Sequence, residues 1–291
     1  MMLPSRSKKS VLIFLVPPLL FYGAGVLLPV VQSLVLSFFS WDGISDMKFV
    51  GFSNYVQMLS NDSVFWQAFG NSMIYLVICL TLQLGGALLV ATLLLQITKG
   101  RDLIKTLYLL PAVISTVAIG FLFQRIYSVD PVGLLNRLLD VVGLSGLQQA
   151  WLSNPSTILA AVSFPEGWRF SGLYMLIIYA AFMAVPTELE EAAKLDGVNN
   201  WQMFSKIRFP YIRPVWITTT IMAVTYALRG FDIPYLLSNS RYGQLVTTYM
   251  YRTAFTNTNY GYASAMAVFI VIECLVAVGL IFVFMRRKVD E

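Results

Sequence analysis

Six apolar stretches, each long enough to cross a lipid bilayer, constrain this chain more than any other feature. A membrane-spanning helix needs about 20 mostly apolar residues. Only 12% of the residues are charged, against about a quarter in soluble proteins. We therefore predict an all-α integral membrane protein with six transmembrane helices. The six stretches are residues 11–39, 69–97, 106–128, 157–184, 214–236 and 264–285.

The positions of Lys and Arg predict the orientation, because basic residues concentrate in cytoplasmic loops. With the N-terminus inside, the outer loops keep only four basic residues. Both termini are then cytoplasmic, and so is the loop at 186–213. The excess of basic residues that gives the net charge of +5 is thus explained by their cytoplasmic placement. We therefore expect no nucleic-acid partner. The four outer residues are Lys48, Arg137, Arg241 and Arg252.

The N-terminal basic residues and apolar run resemble a signal peptide but are too long for one. We expect an uncleaved first span, irregular at its prolines, and a short helix at the outer interface over 134–142. This gives two regions. Residues 1–68 hold the N-terminal tail, first span and external loop, and residues 69–291 form a five-helix core. The prolines are Pro17, Pro18 and Pro29.

The loop at 186–213 contains signals for a helix, a turn and a second helix. Thr187 followed by Glu190 has the spacing of a capping box, and Gly197 can end the helix in a left-handed conformation. Asn199 or Asn200 can cap a second helix. The sequence predicts a helical elbow leaving the membrane.

This elbow could be an ordinary polar connector. However, the small Ala192–Ala193 pair leaves a flat helix surface, and three glutamates could bind arginines of another protein. We therefore favour a docking surface for a soluble partner. The glutamates are Glu188, Glu190 and Glu191.

The elbow resembles the EAA motif of ABC importer permeases. Glu191-Ala192-Ala193, Gly197, Ile207 and Pro210 match its spacing, and Phe209 stands where the family usually has leucine. The resemblance implies a type I importer permease fold whose coupling helix docks on an ATPase subunit. The implied coupling residues are Glu188, Glu191, Ala192, Ala193, Asp196, Gly197 and Pro210.

A wider resemblance, from about residue 69 onward, is to the carbohydrate-uptake permeases, and more narrowly to the maltose-type F subunit. It rests on Trp168, Phe231-Asp232 and the segments 247–255 and 260–265, although Ser238-Asn239-Ser240 replaces a usual Gly-Gly-Pro. It implies a multi-pass protein of the bacterial inner membrane. The implied partners are a second, unlike permease chain, two ATPases that hold ATP and Mg, and an extracytoplasmic sugar-binding protein. No cofactor is expected on this chain.

A sugar pathway needs polar or aromatic groups near mid-depth. Counting from the loop at 1.5 Å per residue reaches Phe170, Tyr174 and Tyr226 on the two flanking spans. Aromatic rings there could stack on a sugar. They could equally pack between helices or anchor the interface.

Four ionisable residues lie on the same two spans, where charges are costly and often functional. The pairs Glu166 with Arg169 and Arg229 with Asp232 could neutralise each other or bind sugar hydroxyls, as the resemblance implies. Pro165 favours a break in the fourth span beside them. Glu273 lies in the last span and has three possible roles. It could line a cavity, pair with an arginine of another span, or be buried in its protonated form.

Two other classes of protein fit less well. An ion-coupled secondary transporter would carry intramembrane carboxylates or histidines in internal repeats, but the chain has no histidine. A membrane enzyme would need a metal-ligand cluster or a nucleophile–base arrangement, and the sequence shows neither. It also lacks a Walker A sequence, so ATP hydrolysis must belong to a partner.

Overall fold

The computed structural model describes residues 8–238 and 240–286 and is mostly helical. The α-helices are α1 Lys8–Tyr22, α2 Leu28–Leu36, α3 Ser53–Val56, α4 Ser63–Leu80, α5 Gly86–Leu94, α6 Arg101–Val113, α7 Thr116–Ile126, α8 Leu134–Val141, α9 Ile158–Met183, α10 Thr187–Leu195, α11 Asn200–Gln202, α12 Phe209–Leu228, α13 Asp232–Leu237, α14 Val246–Phe255 and α15 Tyr260–Arg286. Four π-helical segments, Gly23–Leu27, Gln57–Asn61, Thr81–Gly85 and Met203–Arg208, join consecutive α-helices or extend one. The strands β1 Phe39–Ser40 and β2 Lys48–Phe49 pair antiparallel.

By length and composition, three helices of the described chain could each cross a membrane. They are Ile13–Leu36, Ser63–Leu94 and Tyr260–Phe284, and two bent helix pairs raise the number to five. The first predicted span is irregular at the π-helical Gly23–Leu27, just after the helix that contains Pro17 and Pro18. A helix over 134–142 is confirmed as α8.

The third predicted span, residues 106–128, is bent. Helices α6 and α7 meet at 95°, because Ile114 and Ser115 have extended backbones with ψ of 141° and 136°. β-branched residues and serine have lower helix propensity than alanine or leucine, and serine favours the N-cap. Because of this bend, α7 runs in a different direction from α6, and its first residue, Thr116, does not lie on the axis of α6.

The predicted break of the fourth span at Pro165 is wrong. Helix α9 runs without interruption from Ile158 to Met183 and contains Pro165. Pro165 cannot donate a backbone hydrogen bond, so one bond of the helix is lost. Contacts with α4, α5, α6 and α12 hold the helix in place on several sides despite this loss. The bend comes later, where α9 turns by 69° into α10.

Glycines allow the neighbours of α9 to approach its backbone closely, as small residues do between membrane helices. A side-chain carbon at Gly172 would collide with the Tyr108 carbonyl oxygen of α6, and one at Gly167 would collide with the side chain of Leu82. Two buried apolar clusters flank this contact. One contains Tyr75, Phe123, Ile158 and Ile233, and the other contains Leu84, Met175, Ile178 and Ile212.

The chain divides into two compact units. The first comprises residues up to 62 with 250–269, and the second comprises 63–249 with the residues from 270 onward. Within the first, the helix Ile13–Leu36 buries none of its apolar window, and the Trp41 carbonyl accepts a hydrogen bond from the Tyr260 amide at 2.9 Å. All the candidate sites described below lie in the second unit.

We expect Gly172→Ala to destabilise the protein because the added methyl group meets backbone that cannot move aside. Overpacking of this kind costs about 1–3 kcal/mol. The matched control is Gly70→Ala, in α4, where nothing lies within 4 Å of the new carbon. That change should be neutral or stabilising, because alanine favours the helix by about 0.5–1 kcal/mol. Thermal unfolding in detergent measures both, and equal melting temperatures would contradict the close contact.

Candidate functional site: a helical elbow and a polar cavity

The predicted helix–glycine–helix elbow is confirmed. Helix α10 begins at Thr187, and the chain turns at Gly197, whose φ is +76°. Asn199 then caps the next helical segment in a capping box with Gln202, through hydrogen bonds of 2.9 and 3.0 Å. Of the two asparagines proposed as caps, Asn199 is therefore the one used. A left-handed φ favours glycine, so Gly197 fixes the position of the turn.

The capping box predicted at Thr187 and Glu190 is wrong. Pro186 occupies the N-cap position and makes no side-chain capping bond. The Glu190 carboxylate instead accepts two hydrogen bonds from Arg208, from Nε and Nη2, each at 2.7 Å. A bidentate guanidinium bond satisfies the carboxylate better than one backbone amide. The contact could not be found from the sequence because its partners are eighteen residues apart.

The proposed coupling residues divide by burial. Ala193 is buried, so only Ala192 of the small pair is available to another protein. The remaining members are exposed. They are Glu188, Glu191, Asp196, Gly197 and Pro210.

Apolar side chains on the elbow face outward, which sequence reasoning missed. Leu195 is 89% exposed and Trp201 is 72% exposed, on opposite sides of the Gly197 turn. Leu189 on α10 is also exposed. Large apolar side chains grouped on a protruding segment indicate an interaction surface. The available signal was the placement of Leu195 and Trp201 directly beside the predicted turn and cap.

A cavity of about 180 Å³ lies where α9, α7, α12 and α13 meet. Glu166 enters it from α9, and Thr116 enters from the start of α7, after the 95° bend. Helix α12 ends at Leu228 and α13 begins at Asp232, so the segment between them exposes backbone to the cavity. The lining is Thr116, Glu166, Tyr226, Arg229, Gly230, Phe231, Asp232, Ile233 and Pro234.

The four ionisable residues do not form direct pairs. Neither Glu166 with Arg169 nor Arg229 with Asp232 forms a salt bridge in the described part of the chain, in contrast to Lys105 with Asp102 and Arg208 with Glu190. Glu166 and Arg169 are buried, and Arg169 Nε and Nη1 find no hydrogen-bond partner in the described part of the chain. A buried donor without a partner is costly. Contact within either pair therefore does not occupy these side chains, and both interpretations of the pairs remain predictions.

A stack of side chains connects Arg169 to the cavity. Its guanidinium carbon lies 4.8 Å from the Phe170 ring centroid, a cation–π distance. The Phe170 ring centroid is 4.4 Å from that of Tyr226, which lines the cavity. Phe231 of the lining stacks on Tyr235 at 5.1 Å. The cavity therefore combines carboxylates, a guanidinium and aromatic rings.

Of the seven proposed substrate-binding residues, four line this cavity: Glu166, Tyr226, Arg229 and Asp232. Arg169 and Phe170 join it through the stack. Tyr174 does not, because it is 3% exposed and packs in the apolar cluster around Met175. Sequence reasoning missed Thr116 and Gly230. A side-chain carbon at Gly230 would lie only 3.0 Å from the Tyr75 ring.

Glu273 is not among the residues that line the cavity. Glu273 lies midway along α15, and its Oε1 is buried without a hydrogen-bond partner among the described residues. The described residues also contain no group of three His, Cys, Asp or Glu side chains that could hold a metal ion.

The chain is similar to membrane components of transport systems. The family model described as binding-protein-dependent transport system inner membrane component matches residues 87–290. The probable ABC transporter permease protein YurN of Bacillus subtilis is 36% identical over 269 residues, covering 90% of this chain and 91% of the relative. The lactose transport system permease protein LacF of Rhizobium radiobacter is 32% identical over 284 residues, with coverages of 95% and 94%.

A solved structure has the same fold. A chain of a bacterial ABC transporter involved in the import of the acidic polysaccharide alginate matches with a TM-score of 0.85 and 23% identity. The match covers 96% of each chain.

The bond between Glu190 and Arg208 predicts a pH dependence of the elbow. Hydrogen bonds from Arg208 hold the pKa of the Glu190 carboxyl below its ordinary value. A carboxyl with a lowered folded-state pKa contributes stability above its unfolded pKa of about 4.3, and that stability is lost as the pH falls through the folded-state pKa. We expect Glu190→Gln to reduce amide protection in α10 at pH 7, and the difference from wild type to shrink below about pH 4.

Hydrogen exchange of peptides covering residues 187–208, corrected for the intrinsic rate at each pH, measures this. Glu188→Gln is the control, since Glu188 is exposed and forms no salt bridge within the described chain. A difference between Glu190→Gln and wild type that stayed constant across pH would rule out ionisation of Glu190 as its origin.

Proposed function

The chain belongs to the family of binding-protein-dependent transport system inner membrane components, and on that premise we propose that it is the permease subunit of an ATP-driven importer of carbohydrate, a multi-pass protein of the bacterial inner membrane. It forms the translocation pathway and performs no chemistry itself. The observation that carries this proposal is the elbow at residues 187–208. Within the matched region, the elbow has exposed charged and apolar side chains and lies between α9 and α12, which both reach the polar cavity.

We infer six transmembrane helices with both termini in the cytoplasm. The three long apolar helices, the bent pair of α6 and α7, and α9 supply five, and α12, which is 20 residues long, supplies the sixth. A 20-residue helix is about 30 Å long, the thickness of the hydrocarbon core. The distribution of basic residues supports the orientation. The five helices after residue 68 form the permease core.

The elbow is the proposed site of coupling to the ATPases. Its exposed Glu188, Glu191 and Asp196 can bind cations of the partner, while Leu195 and Trp201 can fill apolar pockets, as interface anchors do. Ala192 permits close approach and Gly197 makes the turn. The complete importer contains a second, unlike permease, two ATPase subunits that hold ATP and Mg, and an extracytoplasmic binding protein.

A sugar is the proposed substrate because the cavity combines two kinds of sugar-binding group. Aromatic rings of Tyr226 and Phe231 can stack on the apolar faces of a pyranose, and Glu166, Arg229 and Asp232 can bind its hydroxyls. The name of the Rhizobium relative, a lactose transport permease, supports the same class. An ion-coupled transporter is not favoured, because the chain has no histidine and the cavity carboxylates lie beside a guanidinium.

The geometry suggests how ATP-driven motion reaches the cavity. Helix α12 begins directly after the elbow and ends at Leu228, next to the cavity residues Arg229 and Gly230. Helix α9 carries Glu166 and continues into α10. Movement of the elbow against the membrane core therefore moves both cavity walls, which is the requirement for alternating access.

We expect Gly197→Val to leave the chain inserted but reduce uptake about 10-fold, because a β-branched residue at positive φ costs roughly 1–3 kcal/mol and shifts the turn. Gly143→Val is the matched control, since Gly143 has φ +77° and open space like Gly197 but lies in another loop. Glu191→Lys should weaken ATPase association as well.

The assay is gentle purification with identification of co-eluting chains, followed by uptake of radiolabelled lactose into proteoliposomes that contain the whole importer. Normal ATPase association and normal uptake in both elbow variants would contradict the coupling role. A wild-type chain that transports when purified alone would contradict the proposed function itself.

In the cavity, we expect Asp232→Asn to lower uptake by at least about 10-fold, the value of one lost charge-assisted hydrogen bond. Assembly with the ATPases should be unchanged. Asp140→Asn on α8 removes the same charge at an exposed position outside the cavity and should not affect uptake. Initial uptake rates at several sugar concentrations test this, and an unchanged rate for Asp232→Asn would remove Asp232 from the pathway.

A further inference from the structure

The Glu190–Arg208 salt bridge differs from the salt bridge between Lys105 and Asp102. Lys105 and Asp102 are three residues apart on one helix, and the Asp102 side chain is 92% exposed. Glu190 and Arg208 lie on different arms of the elbow, and their side chains are 19% and 24% exposed. Both bonds are 2.7 Å long. A partly shielded, bidentate pair fixes the relative orientation of its two partners, unlike a surface pair.

This salt bridge links the two arms of the elbow to each other. One arm is α10, which continues α9 through a 69° bend. The other arm is the π-helical Met203–Arg208, and Arg208 is the last residue before α12 begins at Phe209. Between the arms, the chain passes through Gly197, where backbone freedom is greatest. Without the salt bridge, a displacement of α10 could be absorbed at that turn.

Apolar packing supports the second arm beside the salt bridge. The ring of Phe204 lies 5.8 Å from that of Trp201, 5.8 Å from that of Phe209 and 6.3 Å from that of Phe182 at the end of α9. Met203 is buried. These contacts hold the second arm against α9 and α12, so Arg208 presents its guanidinium to α10 from a fixed base.

We propose that Glu190 and Arg208 form a brace that transmits movement of α10 into α12. They are positioning residues: they need not touch the ATPase or the sugar, and they act by preventing the Gly197 turn from flexing. The proposal rests on the proposed function, since it assumes that an ATPase moves α10. If the salt bridge is removed, the ATPase should still dock and hydrolyse ATP, but the cavity wall should no longer move in response.

The test uses the whole importer in lipid nanodiscs, with ATP and vanadate as the probe. Hydrogen exchange is compared with and without the probe in two regions, the elbow at 187–202 and the cavity wall at 223–237. The variants are Glu190→Arg, Arg208→Glu and the double charge exchange. Lys206→Glu is the control, because it makes the same charge reversal at an exposed side chain two residues from Arg208.

In the single variants we expect ATPase association and the response of the elbow to remain. The response of the cavity wall should fall about 10-fold, within the usual range of coupling energies. The double exchange should restore most of it, and Lys206→Glu should behave as wild type. A merely structural role would reduce both responses together.

Several outcomes would overturn the brace. One is a cavity response of wild-type size in both single variants. Another is loss of ATPase association that the double exchange does not restore, because this would place Glu190 or Arg208 in the ATPase interface. If the reversals impair insertion, Arg208→Lys decides, since lysine keeps the charge but lacks the two-pronged donor; full coupling in that variant would also overturn the proposal. A wild-type importer that shows no response to ATP and vanadate in either region would instead refute the proposed function.

Discussion

The close approach of α6 to α9 at Gly172 is the contact on which the rest of the second unit depends. Membrane helices gain little from the hydrophobic effect between themselves, so they associate through packing that small residues permit. Here the Tyr108 carbonyl occupies the space that any side chain at Gly172 would need. With α4, α5 and α12 also against it, α9 becomes a fixed axis, and a proline in its interior does not break it.

Both candidate sites use that axis. Glu166 leaves α9 toward the cavity, and the C-terminal end of α9 turns into the elbow. Helix α12 runs between the same two places, from Phe209 beside the elbow to Leu228 beside the cavity. The elbow and the polar cavity are thus joined by two helices rather than by loops. Because helices are stiffer than loops, this arrangement allows a displacement of the elbow to move the residues that line the cavity.

The sequence predicted the local features well where the signal is local. The turn at Gly197 requires a residue that tolerates positive φ, and Asn199 followed by Gln202 forms a capping box by itself. It failed where a distant residue competes. Glu190 had the right spacing to cap α10 with Thr187, but Arg208 offered it two bonds, which no pattern in the loop reveals. Tyr174 sat at the right depth for a sugar pathway, yet packing against Met175 buries it.

The sequence alone determined that this chain is a helical membrane protein with a helix–glycine–helix elbow, because apolar length and a motif of fixed spacing can be read from one segment at a time. Only the tertiary structure decided which face of each helix is used. It turned Ala193 inward and Leu195 outward, bent the chain by 95° so that Thr116 reaches the cavity, and joined Glu190 to Arg208 across the Gly197 turn. The physical reason is that burial and hydrogen-bond competition depend on residues that are distant in the chain and neighbours in space.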